Sequence, residues 1–160
     1  MLINDTTYYL GNVSATNTTN DVTTVTSYTA ERNASNIYPG NKATWIGKIG
    51  LMYPSDYGYS ANNSYWNTDL GFYDVAAAKT SWIADTLGVS AKYYTFDTWF
   101  LTLNDGYSDT VMTAANGGRI QPSNMVYHTR SSVFPVLYLK SSATIMDAAG
   151  TKSSPYRVIE

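Results

Sequence analysis

Two apolar stretches decide the fold of this chain: WIGKIGLMYPSDYGYS at residues 45–60 and SVFPVLYLKSS at residues 132–142. Both are set in a background of Thr, Asn, Ser and Tyr. In the first stretch bulky residues alternate with small ones up to Pro54, where strand pairing should end because proline has no N–H to donate. We expect both stretches to form buried core strands, and we expect the glycines to mark places where a backbone or an aromatic ring comes close.

The flanking segments predict one main helix. Residues 6–15 indicate a first strand, and the Thr-rich residues 16–32 indicate β structure or an ordered loop rather than a helix. Residues 69–88 predict the helix, because apolar residues recur there at helical spacing between a capping Asp74 and a terminating Gly88. The four tryptophans, Trp45, Trp66, Trp82 and Trp99, are predicted to lie in the core. Trp66 stands in a polar loop, where an exposed ring would indicate a second contact surface.

The second half of the chain predicts further short strands. Residues 93–103 are rich in aromatic and β-branched side chains, and Asn104, Asp105 and Gly106 supply a turn into a hairpin. The resulting order of elements predicts an α+β fold with many short antiparallel strands, rather than a parallel sheet. Residues 1–160 are expected to form a single globular domain.

Composition excludes several classes of function. The 160-residue chain has a formal charge of −2, whereas nucleic-acid binding requires clustered Lys and Arg. It contains no cysteine, which excludes disulfides, a thiol nucleophile and a thiolate metal site. Its 15 Tyr among abundant Thr, Asn and Ser predict an extracellular, cell-surface location. No apolar run reaches the ~20 residues of a membrane span, so we expect no membrane contact by this domain and an export or anchor segment outside this sequence.

Four segments carry a resemblance to a known family: residues 45–60, TWFLTL at 98–103, SSVFPVLYLKSSATI at 131–145 and GTKSSPYRVI at 150–159. They resemble exported domains of gut Firmicutes, some of which follow a prepilin-type leader. That family is similar to the C-type-lectin-like fold shared with formylglycine-generating-enzyme-type domains and with variable proteins of diversity-generating retroelements. The resemblance implies a C-type-lectin-like domain whose N- and C-terminal strands pair.

The chain departs from a common pattern of that family. It has no cysteine, and Phe134 stands where an arginine is common. No disulfide-dependent or arginine-dependent feature is therefore carried over. The copper-dependent oxidation performed by formylglycine-generating enzymes depends on cysteines, and the resemblance does not imply it here.

The resemblance also implies an exposed binding face formed by residues 104–132, opposite the chain ends. This segment mixes rigid amphipathic rings with adaptable hydrogen-bonding groups, as antibody combining sites do. Such rings lose little entropy when fixed and can stack on sugars or pack on protein. The alternative is that these are ordinary solvated loop residues. The candidate ligand-binding residues are Tyr107, Ser108, Asn116, Arg119, Gln121, Asn124, Tyr127, His128 and Arg130.

Catalytic and metal-binding patterns are weak. His128 is the only histidine, and no G-x-S-x-G segment accompanies it, so a Ser-His-Asp triad is not expected. A pair of carboxylates could cleave a glycosidic bond, but turn and cap positions explain the aspartates, among them Asp56 and Asp105. NDGYSD at 104–109 and QPSN at 121–124 lack the acidic ligands that a calcium site needs. We expect no enzymatic activity, no metal and no cofactor.

Two functions remain. The first is an adhesion or binding module that recognises a protein or glycan ligand on a cell surface through the Tyr- and Asn-rich loop face, as a diversified variable protein would. The second is the structural globular head of a pilin-like surface protein, which packs against copies of itself or other pilin subunits. A small hydrolase ranks third.

Replacing Tyr107 and Tyr127 by Ala is expected to weaken binding to the surface ligand, because each substitution removes a ring that loses little entropy on binding. Thermal unfolding is expected to stay nearly unchanged. Binding to ligand-bearing cells and a thermal melt of the same preparation measure the two quantities. Unchanged binding would place the contact surface elsewhere.

Overall fold

The structure is a computed structural model that describes residues 2–13, 22–72, 78–87, 97–105, 109–124, 131–146, 154 and 157–159. Within these ranges the chain is α+β, and the strands of its small sheets pair antiparallel. The described helices are α1 (Thr24–Glu31), α2 (Pro54–Tyr59) and α3 (Trp82–Leu87). The described strands are β1 (Thr6–Tyr9), β2 (Thr44–Gly47), β3 (Ile49–Leu51), β4 (Thr98–Leu103), β5 (Thr110–Ala114), β6 (Ile120–Asn124), β7 (Pro135–Leu137), β8 (Thr144–Met146) and β9 (Arg157–Ile159).

Helix α1 lies where the sequence predicted β structure or a loop, so that prediction was wrong. Thr23 caps the helix: its hydroxyl accepts from the Thr26 N–H at 3.2 Å, and the Thr26 hydroxyl accepts from the Thr23 N–H at 2.8 Å. The buried residues Thr24, Ser27 and Glu31 follow a spacing of three and four and face α2. Packing of this small polar face outweighs the low helix propensity of Thr.

The two apolar stretches do form strands, and they pair with each other. In the β3–β7 register Ile49 lies opposite Leu137, and Gly50 lies opposite Val136. The first stretch ends its strand before Pro54, as predicted, and Pro54 then occupies the first turn of α2. The prediction that both strands are buried was wrong for one face, because Ile49 is 50% and Leu137 is 46% exposed.

Gly50 confirms the prediction that an aromatic ring approaches a glycine of the first stretch. The Tyr8 ring covers it so closely that a Cβ at position 50 would lie 2.4 Å from Tyr8 Cε1. Tyr8 is fully buried, and its ring lies 5.2 Å from the Trp45 ring and 5.9 Å from the Tyr138 ring. One tyrosine thus joins β1, β2, β3 and the chain just after β7.

The predicted hairpin after residue 103 is confirmed. Strand β5 pairs with β4 on one side and with β6 on the other, forming a three-stranded sheet. Alternate residues of β4 are buried, among them Phe100, whose ring meets the Tyr57 ring edge-on at 5.8 Å. The Tyr57 hydroxyl donates to the Gly118 carbonyl at 2.8 Å, which ties α2 to the turn before β6. Tyr57 and Phe100 are both buried in the core.

The prediction of one main helix over residues 69–88 was wrong in the part that the structure describes. A 3-10 turn occupies Leu70–Phe72, and a separate helix, α3, starts after Ser81. The Ser81 hydroxyl accepts from the Ala84 N–H at 3.0 Å, so Ser81 caps this new helix. Asp74 and Gly88, the predicted ends of the helix, lie outside the described residues.

The break in the predicted helix before α3 determines the exposure of Trp82. Ser81, which caps α3, and Ala84 within the helix are buried, and Trp82 between them is 68% exposed. The core assignment of Trp82 was therefore wrong, because the helical spacing used for it assumed an unbroken helix from residue 78 onward. Trp45 is also exposed, with one face of its ring against Tyr8. Trp66 and Trp99 are partly buried.

Within the described residues, the N-terminal strand β1 and the C-terminal strand β9 do not pair with each other, which corrects the expectation that the end strands pair. Strand β1 pairs with β2, and β9 pairs with β8. The β8–β9 pairing is local in sequence, so closing its loop costs less entropy than pairing with the other end of the chain. The segment that meets the N-terminus is instead the one after β7, where the Ile3 N–H donates to the Tyr138 carbonyl at 3.0 Å.

Gly58→Ala is expected to destabilise the fold by about 1–3 kcal/mol, because the added methyl group overpacks the contact between α1 and α2. A Cβ at position 58 would lie 2.2 Å from the Thr24 hydroxyl oxygen. Urea unfolding of the wild type, Gly58→Ala, Thr24→Ala and the double variant measures this cost. In the Thr24→Ala background the cost should fall by about 1 kcal/mol, and equal costs in both backgrounds would contradict the proposed clash.

Candidate functional site

A cleft of about 410 Å³ opens between α2, α3 and β7. Helix α2 and the residues around it form one wall, the start of α3 forms the second, and β7 with the following tyrosine forms the third. The lining residues are Met52, Asp56, Tyr59, Ser60, Trp82, Ile83, Val136, Leu137 and Tyr138. Both apolar stretches of the sequence therefore contribute to one concave surface.

Three aromatic side chains of the cleft face solvent: Tyr59, Trp82 and Tyr138. Each combines a large apolar ring with a polar tip, the combination that makes Tyr and Trp common in binding sites. None of the three polar tips makes a hydrogen bond within the described part of the chain. A ligand in the cleft would find both ring surface and hydrogen-bonding groups.

Further aromatic side chains hold two of these rings, those of Tyr59 and Tyr138, from behind. The Tyr59 ring meets the Trp66 ring edge-on, with centroids 4.9 Å apart, and lies 6.1 Å from the Tyr28 ring. Trp66 is itself fixed, because its indole N–H donates to the Ala61 carbonyl at 3.1 Å. Tyr138 packs against buried Tyr8. The rings of Tyr59 and Tyr138 are therefore pre-organised, which lowers the entropy lost when a ligand binds.

Asp56 supplies the acidic group of the cleft. Its Oδ2 accepts a hydrogen bond from the Tyr53 N–H at 3.1 Å, which caps α2. Its Oδ1 has no hydrogen-bond partner among the described residues. Burial raises the pKa of the Asp56 carboxyl, while the Tyr53 N–H and the Arg32 guanidinium act in the opposite direction. Burial and the neighbouring Asp56 charge also raise the pKa of Tyr138 above that of an ordinary tyrosine.

Behind the cleft, the carboxylate of Glu31 holds the first turn of α2. The Ser55 N–H donates to Glu31 Oε1 at 2.9 Å, and the Ser55 hydroxyl donates to Oε2. Arg32 contributes an ion pair at 3.1 Å, and its guanidinium carbon lies 3.7 Å from the centre of the Tyr28 ring. Glu31 is fully buried, and burial raises its pKa to about 7. This carboxylate positions the helix that carries Asp56 and Tyr59.

The loop-face residues predicted from sequence are only partly described. Tyr107, Ser108, Tyr127, His128 and Arg130 lie outside the described residues.

Of the remaining candidates, Asn116 and Arg119 flank one tight turn, where the Ala115 N–H donates to the Arg119 carbonyl at 2.8 Å. The Arg119 side chain is exposed, and Gln121 is half-buried in β6. Asn124 is the last residue of β6, which begins directly after Arg119. At about 3.3 Å per strand residue, the backbones of Arg119 and Asn124 are about 16 Å apart. The predicted face therefore remains a prediction.

Sequence reasoning missed the cleft because it assigned its parts to the core. Trp82 was placed on the buried face of a long helix, and Tyr138 was placed in a buried strand. Two signals were present in the sequence: Pro54, which starts a helix as readily as it ends a strand, and Trp66 in a polar loop. Neither reveals that α3 and β7 lie across from α2.

Metal binding finds no support in the described ranges, where no three His, Cys, Asp or Glu side chains come together. Asp69 takes a structural role instead, since its Oδ1 accepts from the Gly71 N–H at 2.6 Å. Asp97 lies 3.4 Å from the Thr113 hydroxyl, which donates to it. Asp69 thus stabilises a turn, Asp97 contacts β5, and Asp56 caps α2.

Comparisons of the chain with models of known protein families, with curated proteins and with solved structures find no match. Among the residues that the structure describes, every helix falls short of the length and apolar character that crossing a membrane requires.

The free energy of unfolding is expected to fall as the pH rises, because the buried Glu31 loses its proton. Its pKa is about 7 in the folded protein against 4.5 for an ordinary glutamate, so the folded chain holds this proton more tightly. The resulting stabilisation is fully present below pH 4.5 and is lost as the pH rises through about 7, with a size of about 3 kcal/mol. Urea unfolding of wild type and Glu31→Gln between pH 4.5 and 8 measures it.

Glu31→Gln is the matched control, because its amide keeps an acceptor for the Ser55 N–H and cannot ionise. Its stability should vary less with pH than that of the wild type over this interval. Parallel pH profiles for the two proteins would show that Glu31 does not titrate between these values.

Proposed function

We propose that this chain is an extracellular, non-enzymatic binding module that recognises a macromolecular or glycan ligand at a cell surface. One observation carries the proposal: the cleft between α2, α3 and β7 presents three solvent-facing aromatic rings, of which those of Tyr59 and Tyr138 are backed by further rings. Apolar concave surfaces with a few convergent polar groups are typical of binding sites. The Tyr-, Thr- and Asn-rich composition supports the extracellular location.

Exposure of Trp82 supports binding rather than a purely structural role. A tryptophan that is 68% exposed leaves a large apolar area in water, and covering it on binding is favourable. The rings of Tyr59 and Tyr138 face the same cleft, so a sugar ring or an apolar side chain can contact several of them together. Their polar tips, which make no hydrogen bond to the described residues, and the Asp56 carboxylate can orient the ligand.

The finer features of the proposal come from the family resemblance. We propose a C-type-lectin-like identity, which the α+β class and short antiparallel strands support at the level of fold class. We also propose that residues 104–132 form a second contact face. The sequence of this face would be diversified, as it is in variable proteins of diversity-generating retroelements. Arg119 supports this in part, because its side chain is exposed at the turn before β6.

A structural head of a pilin-like protein is the second candidate, and one specific observation favours it. Two exposed apolar side chains lie outside the lining of the cleft, Ile46 on β2 and Ile49 on β3. A self-complementary apolar patch is what packing against copies of the same chain requires. In this alternative the patch, rather than the cleft, makes the functional contact.

Trp82→Ala is expected to reduce binding to ligand-bearing cells or to an immobilised glycan panel about tenfold, as for an aromatic residue central to an interface. Its melting temperature should change little, because the side chain is mostly exposed. Ile46→Ala is the matched control, since it removes an exposed apolar side chain that does not line the cleft. Quantitative cell binding and a thermal melt check the expectation.

Equal loss of binding in Trp82→Ala and Ile46→Ala, or no loss in either, would contradict a role for the cleft. Sedimentation velocity separates the second candidate. An assembly of the wild type that Ile49→Lys dissociates, together with unchanged binding by Trp82→Ala, would favour the structural head.

A further inference from the structure

The charge of the cleft indicates which ligand class it suits. Its lining includes one carboxylate, Asp56, and no Lys, Arg or His among the described residues. Arg32 acts on Asp56 from outside the lining, but its guanidinium is engaged by Glu31 at 3.1 Å, by the Tyr28 carbonyl at 3.3 Å and by the Tyr28 ring. The cleft therefore combines aromatic faces with a negative charge.

A neutral ligand leaves this carboxylate without compensation. Covering Asp56 Oδ1 removes its water, and burial of an unpaired charge is costly. A ligand that brings a positive charge compensates the carboxylate and is attracted by the negative faces of aromatic rings. Among organic cations, a methylated ammonium suits such a site best, because it is more weakly hydrated than a primary ammonium and needs no hydrogen-bond acceptors.

We propose that the cleft binds a trimethylammonium group of the choline type, held between Tyr59, Trp82 and Tyr138 with Asp56 as its counter-charge. This inference rests on the proposed function and names the chemical group of the ligand that the cleft takes. The hydroxyls of Tyr59 and Tyr138 remain available for the uncharged part of the same ligand. The rings of Tyr59 and Tyr138 are already held by Trp66 and Tyr8, so these two need little rearrangement on binding.

Three small molecules test the proposal on the whole chain. Choline carries the quaternary ammonium, 3,3-dimethyl-1-butanol is its uncharged isostere, and ethanolamine carries a primary ammonium. Titrations are followed by ¹H–¹⁵N spectra, in which the Trp82 indole N–H resonance is assigned by its loss in Trp82→Leu. We expect choline to shift this resonance with a Kd about five- to tenfold lower than that of the uncharged isostere.

Two variants identify the groups responsible. Asp56→Asn keeps an acceptor for the Tyr53 N–H, which preserves the cap of α2, and removes the charge. It should weaken choline binding about fivefold and leave the binding of the uncharged isostere unchanged. Trp82→Leu keeps an apolar surface at an exposed position, so it tests the ring even where Asp56→Asn fails to fold. It should weaken choline more than the isostere.

The outcomes distinguish this inference from the proposed function. Equal binding of choline and its isostere, or tighter binding of ethanolamine, would overturn the trimethylammonium assignment and leave the cleft as a site for other ligands. Shifts confined to residues outside the cleft, or no binding of choline, would also overturn it. Loss of cell binding in Trp82→Ala is a separate measurement and decides the proposed function independently.

Discussion

The buried carboxylate of Glu31 is the interaction on which the described structure most depends. It ends α1 and accepts two hydrogen bonds from Ser55 in the first turn of α2, where backbone N–H groups have no partner within the helix. A buried carboxyl needs such partners, because burial without them is costly. This one contact therefore fixes how α1 and α2 lie together, and the Gly58 contact with Thr24 allows the close approach.

Helix α2 then divides its side chains between the core and the surface. Tyr57 points into the core, against Phe100 and the Gly118 carbonyl, and positions the three-stranded sheet. Asp56 and Tyr59 line the cleft instead. The same six-residue helix thus couples the packing of the domain to the shape of the candidate site, so a shift of α2 would alter both.

Aromatic residues connect these regions more than aliphatic ones do. Tyr8 packs on Gly50 and reaches the rings of Trp45 and Tyr138, and Trp66 supports Tyr59 from behind the cleft. Small polar residues such as Thr24 and Ser27 fill buried positions between elements. This explains how a chain rich in Tyr, Thr and Ser forms a core while it leaves several large apolar side chains in contact with solvent.

Local sequence determined the features that depend on neighbouring residues: the strand ahead of Pro54, the close aromatic contact at Gly50, and the hairpin after residue 103. Each follows from a missing N–H, a missing side chain or a short turn. Tertiary structure decided the rest. Helix α1 forms from Thr-rich sequence because its polar face packs on α2, and Trp82 is exposed because Ser81 starts a new helix. The cleft joins residues far apart in the chain, and only the packing of α2, α3 and β7 brings them together.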